Sequence, residues 1–343
     1  MKRHVRLLAL LAALAWAAVP PAPVLAQPIP ATPDRGQGQA APEPNPTNSQ
    51  LEIVYNEPLD AKHRPIYDRL KNRRMLEDLR EFMSPLKLPR KLVVAIEGCK
   101  GVLNAWYSNG KVTLCYEYIA YIEAVAANGN PPAGLPRDDV VVGPFLHVVL
   151  HELAHAIFDI LDIPVFGREE DAADALSEFI LLQFGNSIAR RTLLGVAFFY
   201  GAKSQGQVLQ GQDFADEHGT DGQRFYNALC IAYGSDPNTF NDFIQKKLLP
   251  DDRKGRCGRE YRQVSKSFAK LVLPFVDPNV LKKVQARQDW LKPDDGADIG
   301  RPGGSRPVPG SPTPGGTGPG RTPSPAPGGG PVPVRPGNDL PRR

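Results

Sequence analysis

The sequence predicts one α+β domain, in which a small mixed sheet precedes a mainly helical second half. Short β-branched and aromatic runs, separated by turn residues, are confined to residues 51–115. Apolar residues at helical spacing fill most of residues 116–291. Such separation of strands from helices along a chain is typical of the α+β class. The expected folded part, residues 51–292, is long enough for one domain with a sizeable core.

Both ends of the chain are expected to lie outside that domain. Residues 1–26 combine basic residues, an apolar core and the small-residue sequence Val24-Leu25-Ala26, which is typical of a cleaved signal peptide. Residues 27–50 predict a flexible linker, and the Pro/Gly-rich residues 293–343 a disordered tail. We expect no later segment of transmembrane length. The protein is therefore predicted to be exported, either to the periplasm or to the medium.

Charge and cysteine content narrow the class of protein. The formal net charge of +4 is spread along the chain and does not favour nucleic-acid binding. Four cysteines in an exported chain predict two disulfides. Of the three possible pairings we predict the sequence-local one, Cys99 with Cys115 and Cys230 with Cys257. A loop of about fifteen residues contributes about 3 kcal/mol in the chain-entropy model.

The first half is predicted to contain strands at 51–55 and 91–96, an amphipathic helix over 62–83 and a hairpin. The hairpin joins residues 104–107 to 112–115 through Asn109-Gly110. Asn-Gly between β-rich runs favours a type I′ turn, because both central residues need positive φ. A helix is expected to follow over 116–127.

The second half is predicted to be helical apart from short loops. Gly143-Pro144 is expected to begin a very apolar helix, which Pro164 ends. Acidic residues from Glu169 predict the start of the next helix, because carboxylates stabilise the positive helix N-terminus. Further loops are expected near residues 204–221 and 251–258.

The pentapeptide His151-Glu152-Leu153-Ala154-His155 is the strongest chemical signal in the chain. Residues four apart lie on one helix face, so His151 and His155 can bind one metal ion, with Glu152 beside them as a general base. With six histidines in the chain, the motif would arise by chance on the order of once in two hundred such sequences. The pattern predicts a catalytic Zn²⁺ site.

A catalytic zinc site needs a third protein ligand. We predict Glu170 as that ligand and Asp174, four residues later on the same face, as the acceptor that orients a ligand histidine. Glu169, Asp171 and Asp174 remain alternative ligands, because acids also collect at helix starts for capping. His147, one turn before His151, is expected to support the site rather than to bind the metal.

These motifs together resemble the gluzincin metallopeptidases, and particularly their neprilysin-like branch. The resemblance comprises His-Glu-x-x-His with a following Glu-x-x-x-Asp, Asn104-Ala105 before a hairpin, and Asp216-Glu217-His218 followed by Arg224. It implies a zincin-like domain, an edge strand at Asn104 and Ala105 that binds the substrate backbone, and oxyanion stabilisation by His218 with help from Arg224. Asp216 would support His218. The chain also resembles small exported bacterial metallopeptidase-like proteins of unknown function.

The sequence thus predicts zinc-dependent hydrolysis of a peptide bond by metal-activated water, with Glu152 as general base and a peptide or protein as substrate. One alternative is an exported, non-catalytic zinc protein that binds a peptide or a cell-envelope partner. Another keeps hydrolysis but acts on an amide of peptidoglycan or of a small metabolite. The chain has no room for the large domain that covers the active site in the neprilysin-like branch.

Overall fold

The structure, a computed structural model, describes residues 50–129, 131 and 135–287. The predicted signal peptide, nearly all of the predicted linker and the predicted tail lie outside these residues. The described part consists of a small mixed sheet followed by packed helices, so the α+β prediction is confirmed.

The sheet has four strands in the order β1-β2-β4-β3. β1, β2 and β4 are parallel, whereas β3 pairs antiparallel with β4. β3 is consequently an edge strand, with one row of backbone groups free of sheet pairing. The strands are β1 Leu51–Tyr55, β2 Leu92–Glu97, β3 Ala105–Ser108 and β4 Lys111–Cys115.

The hairpin between β3 and β4 has the predicted turn. Asn109 and Gly110 both have positive φ, at 48° and 78°, as a type I′ turn requires. Both disulfides have the predicted sequence-local pairing, Cys99 with Cys115 and Cys230 with Cys257. The first links the end of β4 to the loop after β2, and the second links two helices of the C-terminal half.

The helices fill the remainder of the described chain. They are α1 Arg64–Asn72, α2 Met75–Met83, α3 Tyr116–Asn128, α4 Arg137–Ile160, α5 Glu169–Leu181, α6 Asn186–Ser204, α7 Gly211–Ala215, α8 Asp221–Ser235, α9 Asp242–Gln245, α10 Asp251–Leu271 and α11 Pro278–Ala286, with short 3₁₀ turns at Ala61–His63, Leu182–Phe184 and Leu273–Phe275.

The single helix predicted over residues 62–83 is wrong, because the chain breaks between α1 and α2. Arg74 lies in the left-handed region, with φ 54°. The break directs the Leu76 N–H to the Tyr55 hydroxyl at 2.8 Å, which supplies a partner to an otherwise unpaired N–H in the first turn of α2. The apolar residues predicted to face inward are nevertheless buried on both helices: Ile66, Leu70, Met75, Leu79 and Phe82.

The predicted start of the histidine helix is also wrong, because α4 begins at Arg137 and contains Pro144 in its interior. Val140, Val141 and Val142 are buried, which favours continuing the helix despite the proline. α4 crosses α6 very closely at Gly143 and Gly195. A Cβ on Gly143 would overlap the Thr192 carbonyl oxygen, and a Cβ on Gly195 would overlap that of Asp139. Neither position can therefore accept a side chain.

The loop predicted at residues 251–258 is the first part of α10 instead. Asp251 and Asp252 stabilise its N-terminus, and the Cys257 disulfide ties this segment to α8. The glycines at 255 and 258 lowered the helical signal of the sequence, but the covalent tether and its packing oppose their cost.

α4 is the central helix of the domain and packs against α3, α5, α6 and the sheet. In the described chain it alone has the length and apolar composition of a membrane-spanning helix, contrary to the expectation that no such segment follows residue 26. However, 89% of its most apolar window is buried inside the domain. Its apolar surface is thus covered by neighbouring elements.

Candidate metal centre

Two adjacent helices bring three potential metal ligands to one point. The Nε2 atoms of His151 and His155, both on α4, lie 2.9 and 3.2 Å from Oε2 of Glu170 on α5, and 3.2 Å from each other. Ligand atoms bound tetrahedrally to one Zn²⁺ would be about 3.4 Å apart, from bond lengths near 2.1 Å. The three groups therefore fit a shared metal ion with almost no rearrangement.

The opposite ring nitrogens of both histidines contact carboxylates of α5. His151 Nδ1 lies 2.8 Å from Asp174 Oδ1, and His155 Nδ1 lies 2.6 Å from Glu169 Oε1. An ionised carboxylate only accepts hydrogen bonds, so each Nδ1 carries the proton. Each Nε2 can then direct its lone pair toward a metal. The first turns of α5 thus supply one candidate ligand and two supporting carboxylates.

Asp174 is bound from its other side by Arg224 of α8. The guanidinium donates from Nε to Oδ2 at 2.7 Å and from Nη2 to Oδ1 at 2.6 Å, and its side chain is only 14% exposed. It also lies over the Tyr200 ring. Burial opposes ionisation, but Arg224 and His151 hold the pKa of Asp174 well below its usual range. Arg224 therefore serves as a hydrogen-bond partner of Asp174, whose carboxylate in turn contacts His151.

Glu152 adjoins His151 on α4 and is 7% exposed. Burial raises the pKa of its carboxyl above the ordinary value, while the neighbouring His151 and His155 oppose that rise. A carboxylate with a raised pKa is a stronger proton acceptor, which suits a general base operating near neutral pH.

His218 reaches the same cluster from the loop before α8. Its Nε2 lies 2.9 Å from Glu170 Oε2, and its ring stacks on that of His151 at 5.8 Å between centroids. Asp216 Oδ1 accepts from the His218 backbone N–H at 2.8 Å and lies 3.2 Å from its Nδ1. Arg168 donates to the His218 carbonyl oxygen at 3.3 Å, which ties this loop to the start of α5.

The profile of one protein family, described as "Putative metallopeptidase", matches residues 55–272. The chain belongs to this family. The match spans the described domain from the end of β1 through α10, and includes every residue of the cluster around Glu170. Membership supports metal-dependent hydrolysis of a peptide or protein substrate. Neither the curated proteins nor the solved structures contain a match to this chain.

In this family member, the segment with Asn104 and Ala105 lies beside the histidine helix. The Tyr107 hydroxyl of β3 contacts Asp159 Oδ2 at 2.5 Å, one turn beyond His155 on α4. Ala105 pairs with Leu114 of β4 and is buried, and the Asn104 carbonyl oxygen accepts from the Cys115 N–H at 3.3 Å. The edge of the sheet therefore runs along α4 near the candidate ligands.

A buried polar pair, His147 and Glu178, lies behind the cluster, and the sequence analysis singled out only His147. His147 Nε2 lies 3.7 Å from Asp174 Oδ1 and 3.9 Å from Glu178 Oε1, and neither His147 Nε2 nor the Glu178 carboxyl has a hydrogen-bond partner among the described residues. Burial lowers the pKa of His147 to about 3 and raises that of Glu178 well above its usual value, because it disfavours the charged form of each group. In the sequence, His147 stands out because it lies one helical turn before His151. Nothing in the sequence distinguishes Glu178 from an ordinary acid on a helix surface.

Proposed function

We propose that this chain is an exported, zinc-dependent peptidase whose metal is held by His151, His155 and Glu170. The observation that carries the proposal is the meeting of two imidazole Nε2 atoms and one carboxylate oxygen within 3.2 Å. Two histidines and one glutamate form a ligand set used by catalytic zinc, which keeps its fourth position for water or substrate. The basic, apolar and small-residue sequence of residues 1–26 supports export.

The supporting carboxylates favour a catalytic rather than an incidental cluster. Asp174 and Glu169 hold the two Nδ1–H groups, so that both rings are fixed in the tautomer and orientation needed for binding. Bound zinc would supply a Lewis acid and lower the pKa of a water to about 7.

The residues of the chain account for the proton transfers. We assign to Glu152 the acceptance of a proton from the attacking water and its return to the leaving amine. His218, oriented by Asp216, would donate from Nε2 to the carbonyl oxygen of the scissile bond as negative charge develops there. Arg224 would act indirectly, by holding Asp174 and through it His151.

The substrate is proposed to bind as an extended peptide along β3. An edge strand offers unpaired backbone groups to an incoming strand. The Asn104 amide, just before this strand, can add one donor and one acceptor to the backbone of the substrate. This orientation would carry the peptide alongside α4, past Glu152.

The decisive experiment compares Glu152→Gln with wild type and with Glu81→Gln, an exposed glutamate of α2. We expect wild type and both variants to contain one zinc per chain. Only Glu152→Gln should lose cleavage of a peptide library followed by mass spectrometry, by about 10²–10⁴-fold, because it lacks the general base.

Full peptidase activity in zinc-free wild type would refute the proposal. A zinc-loaded wild type that cleaves no peptide would favour the non-catalytic zinc protein. Cleavage restricted to peptidoglycan or to a small amide would replace the substrate class while leaving the metal site intact.

A further inference from the structure

The outer surface of α10 carries a row of positive charge that the metal site does not use. The row, here called the basic face, comprises Arg256, Arg259, Arg262, Lys266 and Lys270, all of them exposed. At 100° per residue they fall within about 120° of the helix circumference, and the row extends for about 21 Å. The helix therefore presents one nearly continuous cationic stripe.

No carboxylate neutralises the basic face within the described part of the chain. Between residues 253 and 271 the only acid is Glu260, which pairs with Arg253 at 2.8 Å, outside the basic face. None of the five cations forms an ion pair with another described residue. A charge row that served only the fold would be expected to alternate with acids, as exposed helix surfaces commonly do.

Contacts on the opposite side of α10 fix the direction in which the basic face points. Cys257 is buried and covalently joined to Cys230 of α8. Phe268 packs on Phe179 of α5, with ring centroids 4.9 Å apart. The helix cannot rotate its charges inward, so the basic face remains available to a partner.

We propose that the basic face of α10 binds the surface of a bilayer that contains anionic phospholipids. The five cations lie along the exposed side of one long helix, which suits a flat surface of repeating negative charge. Leu273, 43% exposed, follows the row and can enter the interfacial region. Each Lys or Arg near such a surface strengthens binding about fivefold, so five strengthen it about 10³-fold.

The test is co-sedimentation of the full exported chain with vesicles. One set is phosphatidylcholine alone, and the other contains roughly one-third phosphatidylglycerol. The test variant changes Arg256, Arg259, Arg262, Lys266 and Lys270 to Gln. The control variant loses the same number of positive charges at exposed positions elsewhere, namely Lys62, Lys71, Arg80, Lys91 and Lys100.

Wild type and control should bind the anionic vesicles, and the test variant should bind them at least about 100-fold more weakly. Binding should fall steeply between about 0.1 M and about 0.5 M salt, because salt screens the attraction. Zinc content and peptide cleavage should be equal in all three proteins, which separates this proposal from that for the metal site.

Equal vesicle binding by the test and control variants would overturn the proposal. So would wild-type binding that does not depend on phosphatidylglycerol. Binding of heparin or duplex DNA through the same five residues, without binding of vesicles, would also overturn it and assign the surface to a soluble polyanion.

Discussion

Replacing Asp174 by Asn is expected to weaken metal binding and to destabilise the metal-free protein. Asp174 Oδ1 accepts from His151 and from Arg224, and Oδ2 accepts from Arg224 alone. An asparagine must place its NH₂ group at one of these two positions. Either rotamer then faces at least one donor with another donor, and the Arg224 charge loses its counterion.

The size of the effect follows from the burial of this pair. Breaking a buried ion pair costs about 3–5 kcal/mol, and we expect about 3 kcal/mol because the remaining carbonyl oxygen still accepts one bond. Loss of the support for His151 should reduce metal affinity about 10–100-fold. Asp171→Asn is the matched control on the same helix. Its pair with Arg168, at 2.7 Å, has both side chains more than 40% exposed, so the expected cost is about 0–1 kcal/mol.

Urea unfolding of the metal-free proteins measures the first effect, and competition with a chromophoric zinc chelator measures the second. If Asp174→Asn matched Asp171→Asn in both assays, the proposed support of His151 by Asp174 would be refuted. If Asp174→Asn or Asp174→Ala abolished metal binding while Glu170→Ala retained it, the roles assigned to these two carboxylates would be reversed.

Burial disfavours the charged form of His151, but hydrogen bonds to Asp174 and Glu170 raise its pKa from 6.5 to about 9 in the metal-free protein. The protonated imidazole therefore stabilises the folded state. This contribution is complete below pH 6.5 and is lost as the pH rises through about 9. The free energy of unfolding should fall by about 3 kcal/mol across that window, and zinc-loaded protein should not share this fall. Asn104→Ala should lower kcat/KM by about 10–100-fold at unchanged melting temperature. His218→Ala should instead lower kcat with little change in KM, because His218 acts only in the transition state. Normal cleavage by Asn104→Ala would refute binding of the substrate backbone along β3. Changing Cys230 and Cys257 together to Ser should cost about 3.5 kcal/mol for a separation of 27 residues, measured by denaturant unfolding, and an unchanged midpoint would contradict this estimate.

Local patterns predicted much of this fold because their causes are local. The Asn109-Gly110 turn needs only two residues that tolerate positive φ, and α5 begins where acids collect. The period of four between His151 and His155 likewise determines which ring atoms can meet. Even the apolar positions around the break at Arg74 were predicted correctly, because their burial depends on spacing within each helix.

The features that the sequence did not predict depend on contacts between residues far apart in the chain. The continuation of α4 through Pro144 depends on its contact with α6, some 50 residues later in the chain. The helical state of residues 251–258 depends on a covalent link to α8. The contact between Arg224 and Asp174, which lies 50 residues earlier, likewise could not be read from the sequence, where resemblance implied only that Arg224 helps His218. No sequence period encodes such contacts, because they form only when distant helices pack.

The short chain segment that holds the proposed ligands has a consequence for folding kinetics. His151, His155 and Glu170 lie within twenty residues, on two helices joined by a short loop. Closing so short a loop costs little chain entropy, so this helical hairpin can capture an ion before the sheet and the C-terminal helices assemble. Zinc would then also bind partly folded chains, and it would stabilise the native state by less than its affinity for that state implies. Refolding should accordingly become faster when the ion is present from the start, rather than added after collapse.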